Sequence, residues 1–176
     1  METKEFLNMI ENLESEIKIH VKKMNFPYPI RVHIDKSKNI SEEISELLTK
    51  ISRIIPKSFG SSIPYIIGEL IDNIEQHSNY SNSYIFLKYD SKGNQTEMGV
   101  FDDGLSIPFV FEKNNISFSK DSEAIKMALE GKTTKKEDIS RGYGLKTSRR
   151  IIEALNGEMR IISRKGMLAI KDLILN

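Results

Sequence analysis

The chain has 176 residues, of which 39% are hydrophobic and 29% charged, the balance of a globular domain with a sizeable core. It contains no cysteine, which excludes disulfides, thiol nucleophiles and zinc–thiolate sites. The 26 Lys and Arg residues nearly balance the 25 Asp and Glu residues, and a net charge of +1 gives no electrostatic argument for binding nucleic acid.

Residues 1–29 are predicted to form an N-terminal helical extension. Apolar residues recur at alternating four- and three-residue steps over residues 3–24, a heptad-like pattern typical of a helix. A linker containing Pro27 and Pro29 ends this helix. The pattern is equally compatible with packing on the parent domain and with pairing in a homodimer. No apolar run reaches the length of a membrane span and the N-terminus lacks signal-peptide features, so we expect a cytoplasmic protein without membrane contact.

Residues 30–176 are predicted to form one domain, which begins with a strand at 30–34. A helix with an N-cap at Ser41 follows and ends near Ile55, before a proline. Apolar residues at helical spacing predict a second helix over 63–77.

Four strands and one more helix complete the predicted domain. Two strands, 84–89 and 96–101, flank a turn. The last helix opens at Gly144 and ends at the C-cap pair Asn156-Gly157, and two strands follow it, 158–163 and about 167–175. Helices grouped on one face of a mixed, mostly antiparallel sheet predict an α+β fold, a two-layer α/β sandwich.

The helix over 63–77 carries three polar residues along one edge of its apolar stripe. Glu69, Asn73 and His77 are each four residues apart and therefore lie above one another. An Asn side-chain oxygen is a hard ligand suited to Mg²⁺, and a nearby Glu can orient or deprotonate a water. The alternative is a packing helix with solvated polar residues at its margin, and His77 is expected to serve structure at the helix end.

A strand that ends at Asp102-Asp103-Gly104 forms the second motif. A carboxylate at a strand end beside a glycine turn can point into a pocket while the backbone bends close to a ligand. The alternative is an ordinary Asp-Gly turn.

The third motif is Arg141-Gly142-Tyr143-Gly144-Leu145-Lys146, at the start of the last helix. Two glycines ahead of a helix leave backbone N–H groups open to a phosphate, and the helix dipole and Lys146 add positive charge. The alternative is a flexible glycine hinge.

In this order, the three motifs resemble the N, G1 and G2 boxes of the GHKL ATPase superfamily, which includes gyrase-type topoisomerases, heat-shock chaperones, sensor histidine kinases and MutL-type repair proteins. The spacing Glu69-x-x-x-Asn73 followed by His77 is most similar to the small stand-alone serine kinases of the anti-sigma-factor type. Those kinases commonly act on or with a STAS-type partner protein. The resemblance implies a Bergerat-type ATP-binding fold and a protein partner for this chain.

The resemblance also implies roles for the first two motifs. Asn73 would hold the Mg²⁺ that bridges the nucleotide phosphates. Glu69 would orient the attacking water or hydroxyl as a general base. Asp102 would accept a hydrogen bond from the adenine amino group, with Gly104 in the turn beside the base.

For the third motif, the resemblance implies a phosphate loop made of Gly142 and Gly144 with Leu145 and Lys146. The span of about 111–140 falls where the family keeps a mobile ATP lid. Two departures concern the surroundings of the adenine-binding carboxylate. Ser106 stands where the family prefers a second glycine, and Gly166-Met167 stands where many members have Gly-Thr.

Two functions follow as expectations. The resemblance implies a Mg-dependent ATP-binding signalling protein that hydrolyses ATP or transfers its γ-phosphate to Ser or Thr of a partner. The alternative is an ATP-sensing binding module that recruits a partner through an ATP-ordered lid with little or no turnover. Glu69 favours catalysis, because a pure binding module has no need of a base there.

Overall fold

A computed structural model describes residues 30–36, 40–132, 134 and 144–171 of the chain. The predicted helix at 3–24, Gly142 and the end of the predicted last strand lie outside these described residues. None of the helices described is long and apolar enough to cross a membrane.

A three-stranded antiparallel sheet contains the first three predicted strands. Its order is β1 (Ile30–Asp35), β2 (Asn82–Asp90) and β3 (Gln95–Asp102). The pairs Leu87–Met98 and Ile85–Val100 stand opposite each other on β2 and β3. Because alternate residues of a strand point to the same face, these pairs place apolar side chains together on one face of the sheet.

Two helices cover that face, α1 (Ile40–Ile54) and α2 (Ser62–Asn73). Helix α1 begins at Ile40, one residue before the predicted N-cap Ser41. Its apolar residues recur three and four apart and meet those of α2 and the sheet. The buried residues of this core are Ile34, Leu47, Ile51, Ile63, Ile67, Ile71, Ile74, Tyr80, Ile85 and Leu87.

The sequence predicted an α-helix that continues to His77, but α2 ends at Asn73. Residues Ile74–Ser78 form a π-helical turn, which is wider than an α turn, and Asn79 ends it with a left-handed φ of 49°. The Ser78 hydroxyl donates a hydrogen bond of 2.8 Å to the Ile74 carbonyl within this turn.

The second half of the domain consists of three helices and a hairpin: α3 (Ile107–Lys113), α4 (Asp121–Leu129), α5 (Gly144–Ala154), β4 (Glu158–Ser163) and β5 (Gly166–Lys171). The predicted end of α5 is confirmed. Asn156 adopts a φ of 53°, its N–H donates to the Glu153 carbonyl at 3.0 Å, and the Gly157 N–H donates to the Ile152 carbonyl at 2.8 Å. These two bonds form a Schellman motif, which satisfies the carbonyls at the helix end.

The predicted α+β class is confirmed, but the described strands form two antiparallel sheets and not one mixed sheet. Strands β4 and β5 pair with each other, and all described strand pairs are antiparallel. The hairpin packs on α4 and α5, where Met159 is buried together with Ile125 and Leu129. The apolar face of the hairpin is therefore covered by helices. The fold is α+β, with helices packed on two small antiparallel sheets.

Much of the span predicted as a lid is packed secondary structure. Helices α3 and α4, which the sequence patterns did not predict, bury Phe111, Ala124 and Ala128 in a common cluster. Arg164, in the β4–β5 turn, contacts Glu112 at 2.8 Å and Asp121 at 2.5 Å and so ties the two helices to the hairpin. The described part of the span, up to residue 132, is held in place by these contacts.

Candidate functional site

The motif of helix α2 and its π turn contacts residues of both other motifs, Gly144 and Gly104. Near Glu69, helix α2 packs against the beginning of α5, which carries Gly144. The other end, at Ser78, contacts the turn that follows β3. One helix thus lies between segments that are far apart in the sequence.

Glu69 and Gly144 form the contact at the first end. Gly144 is the first residue of α5, and a Cβ atom built on it would overlap Oε2 of Glu69. Only glycine therefore lets the start of α5 approach the carboxylate this closely. The first N–H groups of a helix carry partial positive charge, so this is a favourable place for an anion.

Tyr65 belongs to the same contact, one helical turn before Glu69. Its hydroxyl is near enough to Glu69 and to Thr147 on α5 for both to influence its pKa. The hydrogen bond to Glu69 raises the pKa of Tyr65, helped by burial and by the charge of Glu69, whereas the bond with Thr147 acts in the opposite direction.

Asn73 lies one turn beyond Glu69 and is half-buried. Its Nδ2 donates a hydrogen bond of 2.8 Å to the backbone carbonyl of Glu69, which fixes the plane of the amide. The oxygen Oδ1 is the end of this side chain that is left for a ligand. It is a hard, neutral oxygen of the kind that suits Mg²⁺.

Asp102 and Gly104 lie at the second end of α2. The Gly104 N–H donates to Oδ1 of Asp102 at 2.9 Å, and the Leu105 N–H donates to the Ser78 carbonyl at 2.5 Å. A Cβ on Gly104 would come within 2.7 Å of the Ser78 hydroxyl, so glycine is required for this close approach.

The carboxyl group of Asp102 is desolvated although the residue as a whole is exposed. Burial raises its pKa above the ordinary value, and the repulsion of Asp103 adds to this. The hydrogen bond from the Gly104 N–H and the nearby Ser78 hydroxyl favour the ionised form and oppose the shift. A desolvated carboxylate at a strand end is suited to accept a hydrogen bond from a ligand.

The carboxylate of Asp103 is engaged in hydrogen bonds within the protein. Its carboxylate accepts hydrogen bonds of 2.8 Å from the Ser81 N–H, the Asn82 N–H and Nδ2 of Asn82. Burial alone would raise the pKa of Asp103, but these hydrogen bonds lower it overall. Asp103 therefore secures the start of β2, and Asp102 is the carboxylate of the pair that remains for a ligand.

The two departures from the family pattern have structural reasons. Ser106 is the N-cap of α3, with an extended backbone (φ −73°, ψ 154°) that requires no glycine, and its hydroxyl accepts from the Phe109 N–H. Gly166 packs against the first turn of α4, where a Cβ would stand 2.6 Å from the Ser122 nitrogen.

The hydroxyl beside Asp102 comes from Ser78, a residue that the sequence analysis missed. The available signal was weak: a serine four residues after a buried isoleucine at a helix end, where its hydroxyl can bond back to the helix.

The remaining residues of the third motif are only partly described. Gly142 lies outside the described residues. Leu145 is half-buried and packs against the apolar clusters of α3, α4 and the hairpin, and Lys146 lies in the first turn of α5. Roles in phosphate binding for Leu145 and Lys146 stay predictions.

The described residues include no group of three or more His, Asp or Glu side chains that could hold a metal ion. Proteins usually bind Mg²⁺ through one or two side chains together with substrate phosphates and water, so a magnesium site does not require such a group.

The chain has no significant match among protein-family models, curated proteins or solved structures. The resemblance to the GHKL superfamily therefore stays a prediction from the three sequence motifs.

Proposed function

We propose that the chain is a GHKL-type, magnesium-dependent ATP-binding protein. It transfers the γ-phosphoryl group of ATP to Ser or Thr of a partner protein, or to water. The observation that carries this proposal is that one helix contacts both other motifs, through Glu69 and Gly144 at one end and through Ser78 and Gly104 at the other. Motifs that matched the family pattern by chance would not be expected to contact one another in the folded chain.

The adenine end of the nucleotide is assigned to the turn after β3. Asp102 accepts a hydrogen bond from the adenine amino group, and the Gly104 N–H orients its carboxylate. Guanine presents a carbonyl oxygen in the same place, and two acceptors facing each other repel. Adenine nucleotides are therefore preferred.

The phosphate end is assigned to the region between Asn73 and the start of α5. Asn73 Oδ1 would hold Mg²⁺, which would neutralise charge on the phosphates. Glu69 accepts the proton of the attacking water or hydroxyl. The attacking oxygen bonds to the γ-phosphorus, the bond from that phosphorus to the β–γ bridging oxygen breaks, and ADP leaves.

Replacement of Glu69 by Gln tests the proposal. Glu69→Gln should bind Mg-ATP about as well as the wild type but lose turnover by roughly two to four orders of magnitude, the usual scale for a general base. Glu75→Gln is the matched control, because Glu75 is an exposed acid on the adjoining π turn. Binding is measured by calorimetry and turnover by phosphate release.

Equal, near-background turnover in the wild type and in Glu69→Gln, with tight ATP binding in both, would favour the ATP-sensing binding module instead. Failure of the wild type to bind ATP would contradict both functions.

A further inference from the structure

The three-stranded sheet has a second face, opposite to the face that α1 and α2 cover. The residues of β2 and β3 that alternate with the core residues lie on this second face. They include Tyr84 and Phe86 on β2 and Gly99 and Phe101 on β3. Phe86 stands opposite Gly99, and Tyr84 stands opposite Phe101, so three aromatic residues are neighbours on this face.

The rings of Phe86 and Phe101 pack edge to face. Their centroids are 5.8 Å apart, at an interplanar angle of 75°. Gly99 leaves room for this arrangement, because a Cβ atom built on it would stand 3.0 Å from the Phe101 ring. The Phe101 ring therefore lies over Gly99 and against Phe86, and the two rings form one continuous apolar surface.

Burial on the second face is highest at Phe86. This residue is only 7% exposed, whereas Phe101 is 40% exposed. Side chains stand roughly perpendicular to a sheet, so the tip of a ring is exposed unless another layer lies on it. Within the described part of the chain, Phe86 belongs to none of the three apolar clusters to which the helices contribute. It is therefore covered from the second face, where α1 and α2 do not lie.

Residues 1–29 join the sheet beside Phe86. They lead into β1 at Ile30, which pairs with Leu87, and the next pair along β1 is Arg31 with Phe86. The Cα atoms of paired residues in an antiparallel sheet are only about 4.5–5.5 Å apart. The end of the N-terminal extension is therefore next to the most buried ring of the second face.

The helix predicted over 3–24 has a length and an apolar seam that suit this face. At about 1.5 Å per residue the helix would be about 33 Å long, and β2, with nine residues at about 3.3 Å each, is about 30 Å long. One side of such a helix could therefore lie along the whole strand. The residues of the seam are Phe6, Ile10, Leu13, Ile17, His20 and Met24.

We propose that residues 3–24 form a helix that packs its seam on the second face of the sheet of the same chain, over Phe86. Two observations favour this occupant over a second copy of the chain. Phe86 is buried within one copy. In addition, the linker of residues 25–29 is short, and a short linker gives an effective concentration in the millimolar range. This packing would leave the seam unavailable for a homodimer, and it does not depend on ATP binding or turnover.

Phe86→Trp tests the packing, because the chain contains no tryptophan and the new indole reports on the second face. We expect iodide to quench its fluorescence poorly. Leu13→Asp, added to Phe86→Trp, places a charge in the seam and should increase quenching several-fold. Ser15→Asp is the matched control: two residues further along a helix, a side chain points to the opposite side, so quenching should not change. Thermal unfolding shows that each variant is folded.

Cysteine substitutions give a second measurement that leaves Phe86 intact. The chain contains no cysteine, so Leu13→Cys and Ser15→Cys each carry a single thiol. We expect Leu13→Cys to react with a thiol reagent at least about tenfold more slowly than Ser15→Cys, since it reacts only when the helix leaves the sheet. Equal reaction rates for the two variants would overturn the proposal.

Protein concentration separates this packing from a homodimer. With the helix on the sheet of its own chain, the thiol protection and the shielding from iodide should be independent of protein concentration. Protection that is lost on dilution, together with a dimer in sedimentation, would mean that a second copy covers the seam. That result would contradict the proposal, as would iodide quenching that Leu13→Asp leaves unchanged.

Discussion

Glu69 and Gly144 are in contact because the first residue of α5 has no side chain. They are 75 positions apart in sequence, and each belongs to a different motif. The carboxylate lies where the helix presents its unpaired N–H groups, so the contact combines close packing with favourable electrostatics.

Gly144→Ala should disrupt this contact. The new Cβ would overlap the Glu69 carboxylate, so the side chain or the helix must move. We expect a loss of about 1–3 kcal/mol in the free energy of unfolding, together with reduced turnover. Thermal unfolding and phosphate release measure the two effects.

Gly68→Ala is the control for that substitution. Gly68 lies inside α2, where a Cβ meets nothing within 4 Å. Because alanine favours a helix over glycine by about 0.5–1 kcal/mol, this variant should be more stable, by roughly 1–4 °C in Tm. Equal destabilisation by both substitutions would contradict the contact.

Asp102→Asn should stabilise the folded protein at neutral pH and abolish the proposed preference for adenine nucleotides. Burial raises the pKa of Asp102 in the folded state, so folding disfavours the ionised form. The wild type therefore loses stability as the pH rises from the ordinary aspartate pKa of about 3.9 through the higher folded value, and the cost remains above it. Asp102→Asn should have the higher Tm at pH 7, and the difference should vanish below about pH 3.5.

The same variant tests base recognition. Competition against a labelled ATP analogue should show at least several-fold, and up to about a hundredfold, preference for ATP over GTP in the wild type. Asp102→Asn should erase that preference. Equal competition by GTP on the wild type would mean that Asp102 is only a turn residue.

Asp103→Asn should behave in the opposite way. Hydrogen bonds from Asn82 and Ser81 give this carboxylate a lowered pKa in the folded state, so its contribution to stability is present above about pH 3.9 and is lost as the pH falls through the lower folded value. We expect Asp103→Asn to lower Tm at pH 7 by about 2–4 °C and to leave the ATP preference intact. Unfolding curves at pH 7 and pH 3 compare the two neighbouring carboxylates directly.

Asn73→Ala should abolish Mg²⁺-dependent binding of ATP. Loss of the amide oxygen removes the proposed protein ligand of the metal, and we expect Kd to rise more than tenfold in Mg²⁺ and to change little in EDTA. Asp72→Asn is the control, since Asp72 is exposed on the neighbouring position of α2. Calorimetry that finds wild-type affinity for Mg-ATP in Asn73→Ala would exclude this metal site.

Features with strong local signals were predictable from the sequence. The apolar stripe of α2, the alternating residues of the β2–β3 hairpin and the Asn156-Gly157 cap each follow from spacing or from a residue that tolerates positive φ. Helices α3 and α4 were missed because they are only seven and nine residues long.

Other features depend on contacts that a sequence does not display. Ile71 and Ile74 fit the apolar stripe of an α-helix and of a π turn equally well, so the wider turn was not foreseen. The separation of the β4–β5 hairpin from the first sheet depends on its packing against α4. Ser78 is recognisable only once Gly104 is seen to lie against it.

Helix α2 and its π turn also set the spacing between two contacts, Glu69–Gly144 and Ser78–Gly104. Glu69 and Ser78 are nine residues apart, joined by the end of α2 and the π turn. This segment therefore fixes the distance between the Glu69–Gly144 contact and the Ser78–Gly104 contact. Adding or removing one residue between these positions would change the length by about 1.5 Å and rotate one end by about 100°. No such insertion or deletion can keep both end contacts.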